Sequence, residues 1–198
     1  MSSYRSIIVS GSAFLVCALL PAAALAHQTG SAHLDLASGF AHPLLGVDHV
    51  AAMLAIGLWI SDRRRIDQLK GALAFSLALA LGGGLGISGL TIPGIETAVA
   101  GTLVAIGLAL ALAARPPLSV GVPAVALIGL LHGIVHGVEL PAGRGAPGYI
   151  AGFVLASFFL QFLGMAAGRV VMHPTPRALR LAGTAVGVLG LGLLIQAL

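Results

Sequence analysis

Six apolar stretches, at about 41–60, 71–90, 95–114, 119–138, 147–168 and 179–197, each come close to the roughly 20 residues that an α-helix needs to cross a bilayer. Of the 198 residues 58% are hydrophobic and only 8% charged, with a mean hydropathy of +1.06, so too little polar surface remains to clothe a soluble globule. The expected fold is an all-α integral membrane protein with six transmembrane helices, in one membrane domain over residues 27–198.

The amino terminus reads as a cleavable signal peptide over residues 1–26. Arg5 supplies the positive flank, Ile7 to Leu20 an apolar core shorter than a bilayer span, and Ala24-Leu25-Ala26 the small-x-small pattern before a cleavage site. The single cysteine, Cys17, leaves with that segment, so the mature chain is expected to hold neither a disulfide nor a thiolate ligand. An uncleaved seventh span is the competing reading.

Charge between the stretches sets an orientation. The first connection, Ser61 to Lys70, carries four basic residues, the third carries Arg115, and the fifth carries Arg169, Arg177 and Arg180; the second carries none and the fourth only Arg144. The positive-inside rule places the odd-numbered connections in the cytoplasm, and both mature termini on the outer side. The signal peptide demands the same orientation independently. A formal charge of +4 spread over short loops makes no continuous basic patch, which excludes nucleic acid as a partner.

Two clusters break the apolar pattern. In the first stretch His42, Asp48 and His49 lie within His42-Pro43-x-x-Gly46-x-Asp48-His49, and on a straight helix the seven-residue spacing puts both histidines on one face. In the fourth, His132, His136 and Glu139 are spaced i, i+4, i+7 and also share a face. With the orientation above, His42 lies near the outer interface, Asp48 and His49 about 9–10 Å deeper, and His132 about 10 Å below Glu139. The two stripes are therefore expected to meet at one depth, His49 and Asp48 opposite His132, and His42 opposite His136 and Glu139. Beside the second stripe Gly129, Gly133 and Gly137 form a four-residue ridge that admits a close neighbouring helix.

Imidazole nitrogen and carboxylate oxygen without thiolate suit a divalent first-row transition metal, and nickel, cobalt, copper and zinc all accept that donor set. A single intramembrane histidine more often hydrogen-bonds across helices, but two stripes brought to one depth by separate arguments favour a shared ion. Met53, a turn beyond His49, reads better as core than as a sulfur contact. Two other readings of the six donors stand beside transport: an intramembrane metal-dependent hydrolase with Asp48 or Glu139 as base, and a haem carrier with His49 and His132 as axial ligands.

Several weaker signals stand alongside. Gly84-Leu85-Gly86-Ile87-Ser88-Gly89 spells a dinucleotide fingerprint by letter but ends a membrane span with no strand before it, and a phosphate-binding loop is missing from the sequence. Glu96 reads as a solvated helix-start carboxylate or as a vestibule acid, with the dipole favouring the first. Ser157 and Gln161 read as interhelical hydrogen-bonding groups or as the lining of a lower path. His27 and His33 form an outer segment, and His173 falls on the far side of the membrane, outside the site. Residues 41–114 and 119–197 each begin with a histidine-bearing span and would have opposite topology, the arrangement expected of a 3+3 inverted repeat.

The two motifs together, His-Pro-x-x-Gly-x-Asp-His-x-x-Ala-Met from His42 and Leu-His-Gly-x-x-His-Gly-x-Glu from Leu131, resemble those of the HupE/UreJ family of bacterial nickel permeases, as do the signal peptide, span number and length. Leu131 stands where that family has an aromatic. The resemblance implies a nonenzymatic permease in which His42, Asp48, His49, His132, His136 and Glu139 handle the metal. It further implies Ni2+ as transported substrate rather than as a resident cofactor, and a cytoplasmic metallochaperone of hydrogenase or urease maturation as recipient. A divalent cation needs no motor for entry, since an inside-negative potential favours it by about 4.6 kcal/mol per 100 mV, twice the single-charge figure.

Overall fold

The computed structural model of the protein describes residues 35–140, 145–172 and 175–198. The signal-peptide segment with Cys17, the outer histidines His27 and His33, Arg144 and His173 lie outside the described residues. What is described is helical throughout, with no strand: α1 Leu36–Leu45, α2 Val47–Ile60, α3 Arg65–Ile87, α4 Ile95–Ala111, α5 Leu118–Glu139, α6 Ala146–Ala167 and α7 Pro176–Gln196, with a short π-helical turn, Gly168–Met172, continuing α6. Four of these (α3, α5, α6 with its extension, and α7) are long and apolar enough to cross a membrane, and α1 with α2 makes a fifth as a bent pair. Helix α4 is apolar but, at 17 residues, shorter. Leu73, Leu77 and Leu81 form an outward stripe on α3, and Leu108, Leu127, Phe159 and Val188 are exposed on other helices, an apolar exterior suited to lipid. The chain is a multi-pass membrane protein.

The first stretch departs from expectation. Instead of one straight helix over 41–60, the chain forms α1 and α2, bent by 86° at Gly46. The residue types explain the break. Pro43 has no N–H to give the last turn of α1, and Gly46 adopts an extended backbone (φ −93°, ψ 117°) between the helices. A Cβ on Gly46 would stand 2.5 Å from Nδ1 of His49 and 2.9 Å from Oδ1 of Asp48, so only glycine lets both side chains fold back over the corner. The other end of α1 is set by Asp35, whose carboxylate accepts from the Ser38 backbone N–H at 2.8 Å while Ser38 Oγ accepts from the Asp35 N–H at 3.0 Å, a capping box.

Packing runs in parallel and antiparallel pairs. Gly129, Gly133 and Gly137 of α5 seat against the backbone of Phe75, Leu79 and Gly83 of α3, one turn after another in the same direction. The glycine ridge thus packs α3 against α5 as parallel helices, at a separation that side chains would prevent. Helices α2 and α6 also run parallel, Gly57 meeting Gln161 and Gly164, and Gly168 meeting Ser61. Helices α4 and α7 run antiparallel, with Gly107 against Gly183 and Gly187, and Thr97 donating from Oγ1 to the Ala197 carbonyl at 3.2 Å. The core between these pairs holds Met53, Ile56, Phe75, Leu79, Leu103, Leu110 and Phe153, so Met53 is a core residue.

Charge is divided between the two ends. At one, the connection after α2 is tied to that after α4: Arg115 pairs with Asp62 at 2.7 Å, Arg63 donates to the Pro116 carbonyl at 2.6 Å, and Trp59 Nε1 donates to Ala114 at 2.9 Å. Arg64 pairs there with Asp67 at 2.7 Å, and Arg169 donates to Gln68 Oε1 at 2.5 Å. Helix α3 starts at Arg65, six residues before the expected span, because Asp67 and Gln68 in its first turns are buried and bonded. Asp48, Glu96 and Glu139 gather at the opposite end, where they line one pocket.

Candidate metal centre

The bend at Gly46 builds the site. Because α1 and α2 meet at a corner, His42 and His49 do not share one helix face as the straight-helix spacing predicted, and depths counted along a continuous axis do not apply. Their rings converge across the corner instead, with centroids 6.1 Å apart. Asp48 sits in the first turn of α2, where the positive helix end favours a carboxylate, and its Oδ1 lies 2.9 Å from Nδ1 of His49.

Helix α5 supplies the other half from its last two turns. His136 is at the centre, its ring 4.3 Å from that of His49 and 5.0 Å from that of His42. Nδ1 of His136 lies 3.1 Å from Glu139 Oε2 and 3.3 Å from Nε2 of His42, and its Nε2 faces Nε2 of His49. One donor atom each from His42, His136 and Glu139 falls within 4.8 Å of the others, a group able to hold a metal ion. His132, one turn deeper, is fully buried with its ring 5.8 Å from that of His49. All six residues singled out in the sequence are thus gathered at one end of the bundle, five in direct contact and His132 beneath them.

Hydrogen-bond partners assign the tautomers. A carboxylate only accepts, so Asp48 draws the proton of His49 to Nδ1, and Glu139 does the same for His136. Both Nε2 atoms are then left with lone pairs, and these point at each other. His132 Nδ1 lies 2.8 Å from the Ile128 carbonyl and must be the protonated nitrogen, which leaves its Nε2 as a buried lone pair without a hydrogen-bond partner among the described residues. Facing lone pairs repel unless a proton or another cation lies between them. Carboxylate and carbonyl groups that fix the far nitrogen of each imidazole are the usual outer support of a metal-binding histidine.

Asp48, His49, His136 and Glu139 of this cluster line a pocket of about 330 Å³. Its mouth carries Glu96 and Glu139 with Gln196, and its far wall is apolar, from Val99, Ala100, Leu103 and Leu193. Glu96 is exposed, as a helix-start carboxylate would be, and it also faces the same space as the histidines. Sequence reasoning had no means to place Gln196 and Leu193 there, because they arrive only through the α4–α7 pairing. It also passed over Tyr149 and Phe153, which form an aromatic wall with centroids each 5.7 Å from His42, Phe153 lying 5.0 Å from His136. Two rings at i, i+4 on an apolar helix look like ordinary core until their neighbours are known.

Comparison with known proteins agrees with the motifs. The model of the HupE / UreJ protein family matches residues 15–193. Protein HupE of Rhizobium leguminosarum bv. viciae is 38% identical over 178 residues, covering 85% of this chain and 93% of the relative. No solved structure matches. With the motifs, the helical membrane architecture and a match along nearly all of its length, the chain belongs to the HupE/UreJ family.

Proposed function

We propose that this protein is a secondary transporter that imports a divalent transition metal, nickel in first place, across the bacterial inner membrane. One observation carries the reading: His42, His136 and Glu139 each bring a donor atom within 4.8 Å of the others, with His49 and Asp48 in contact beside them at an acid-rimmed pocket. Three or four imidazoles with carboxylates and no thiolate suit nickel, cobalt, copper or zinc, and the family resemblance selects nickel.

In this reading the chain has six spans, α1 with α2 forming the first and the shorter α4 the third. The acidic end faces the periplasm and the basic end the cytoplasm, by the positive-inside rule. A hydrated ion is drawn in by Glu96 and Glu139. It then exchanges waters for His42, His136 and Glu139, and passes to His49, with Asp48 behind it, and to Nε2 of His132. The membrane potential drives entry, and a metallochaperone of hydrogenase or urease maturation is the cytoplasmic recipient. The parallel α3–α5 and α2–α6 pairs would exchange under a two-fold axis in the membrane plane that relates the two halves, which supports an inverted repeat with the site near its axis. The hydrolase alternative draws no support from the family match.

The test is uptake of radioactive nickel into liposomes holding the purified protein, with cobalt, copper and zinc as competitors, at two pH values. Uptake that grows with an inside-negative potential and is competed best by unlabelled nickel is expected. Failure to pass any of the four ions, or tight zinc retention with turnover of a lipid or peptide, would overturn the reading.

A further inference from the structure

Beneath the histidines a second set of polar groups continues toward the basic end. Ser76 on α3 and Ser157 and Gln161 on α6 are buried, Ser157 and Gln161 fully so. Ser76 Oγ, Ser157 Oγ and both amide atoms of Gln161 have no hydrogen-bond partner among the described residues. Interhelical hydrogen bonding, the ordinary reason for such groups in a membrane protein, is therefore not what they do here. Unpaired polar atoms in an apolar interior cost stability, and a chain this rich in leucine and alanine had cheaper side chains to place there.

Their positions form a line. Helices α3 and α6 run antiparallel where they meet, Ile150 Cδ1 lying 3.2 Å from where a Cβ on Gly83 would stand and Ala80 sharing a groove with Val154. Seven residues back from Gly83 is Ser76, and seven on from Ile150 is Ser157, so both keep the contact face and stand at one level, two turns inward. Gln161 follows one turn on. Above the line His132 has its ring 6.4 Å from Phe75, the neighbour of Ser76, and its own Nε2 is unpartnered. At the lower end Gln68, on α3 two turns from Ser76, donates to the carbonyls of Ser61 at 2.6 Å and Arg63 at 2.9 Å, and accepts from Arg169.

We propose that Ser76, Ser157 and Gln161 are the inward leg of the ion's route, closed in this conformation, by which a divalent metal released from the histidines reaches the end marked by Gln68 and Arg169. The proposal rests on the transport reading. Its chemistry is that of a descending ladder: hydroxyl and amide oxygens bind a borderline metal more weakly than imidazole, and a route must hold the ion well enough to admit it and loosely enough to let it go.

The experiment pairs liposome uptake of nickel with equilibrium nickel binding to the same protein in detergent. Gln161→Leu, and separately the double variant Ser76→Ala with Ser157→Ala, should lower uptake by about tenfold or more while leaving binding within about twofold of wild type, because the outer donors are untouched. Gln161→Asn, which keeps the amide, should recover part of the rate. The serine-to-alanine pair removes two oxygens with almost no change of shape, so it decides the matter if Gln161→Leu fails to fold. Wild-type uptake by that pair, or a parallel loss of binding and uptake in it, would overturn the route. A wild-type protein that neither binds nor passes nickel would instead bring down the transport reading itself.

Discussion

Nε2 of His42 lies 3.3 Å from Nδ1 of His136, although 94 residues of chain separate them and they stand on different helices, α1 and α5. His136 is the hinge of the whole cluster, since one of its nitrogens faces His42 and Glu139 and the other faces His49. Each element that supports this meeting can be tested separately.

Removing the central ring should matter most. His136→Ala takes away both the Nδ1 contact to Glu139 and His42 and the Nε2 contact to His49. Nickel affinity is expected to fall by more than about a hundredfold, beyond the 10–100-fold typical of an outer-shell change. Equilibrium dialysis with radioactive nickel checks it, and an affinity within threefold of wild type, roughly 0.7 kcal/mol, would remove His136 from the centre.

Asp48 acts through His49. Asp48→Asn keeps the shape but offers an amide that no longer enforces the Nδ1–H tautomer, so affinity is expected to drop about 10–100-fold with the fold intact. Unchanged helical circular dichroism beside weakened binding is the expected pair of results. Equal binding by the variant would mean that the 2.9 Å contact does not orient the ring.

Gly46 is constrained by its neighbours more than by its dihedrals. An alanine fits φ −93° but brings its methyl against His49 Nδ1 and Asp48 Oδ1. Gly46→Ala should therefore cost binding about tenfold while lowering stability by only about 1 kcal/mol, the lower end of overpacking costs. A thermal melt in detergent and a binding isotherm on the same sample separate the two effects; a loss confined to stability would count against the corner as the site's scaffold.

Gly133 should behave in the opposite sense. A Cβ there meets the Gly83 nitrogen at 2.8 Å and the Gly82 Cα at 3.0 Å, both backbone atoms that cannot turn aside. Gly133→Ala must push α3 from α5, at a cost of about 1–3 kcal/mol. The melting temperature should fall markedly, and His132 and His136, on either side of Gly133, should lose affinity with it. A variant as stable as wild type would argue that the two helices are not so closely packed.

Acid should release the metal. Imidazole binds a cation only when neutral, so protons compete for each ring nitrogen that would hold the ion, and affinity falls as the medium is made acid enough to protonate them. The slope approaches about tenfold per pH unit for every imidazole that must lose its proton. Nickel titrations in steps from pH 7.5 down to the acid limit of the folded protein measure it, and an affinity unchanged over that whole span would mean that histidines are not the ligands.

Chemistry and class were legible in one dimension, and shape was not. Hydropathy marks the membrane stretches because lipid imposes a length and an apolarity on each segment alone, and histidines and acids inside such segments advertise themselves because that solvent rejects them. His42, Asp48, His49, His132, His136 and Glu139 could be named on those grounds without knowing any neighbour. The glycine ridge of α5 likewise announced a close partner, though not that α3 would be it. The corner at Gly46 was missed because seven residues between two histidines read as one helix face when Pro43 is tolerated and no contact is in view. The aromatic wall of Tyr149 and Phe153, the place of Glu96 and Gln196 at the pocket mouth, and the unpaired state of Gln161 depend on which helix packs against which. Packing couples segments far apart in the chain, so its outcome is written in no single stretch of residues, and only the assembled bundle decides which side chains meet.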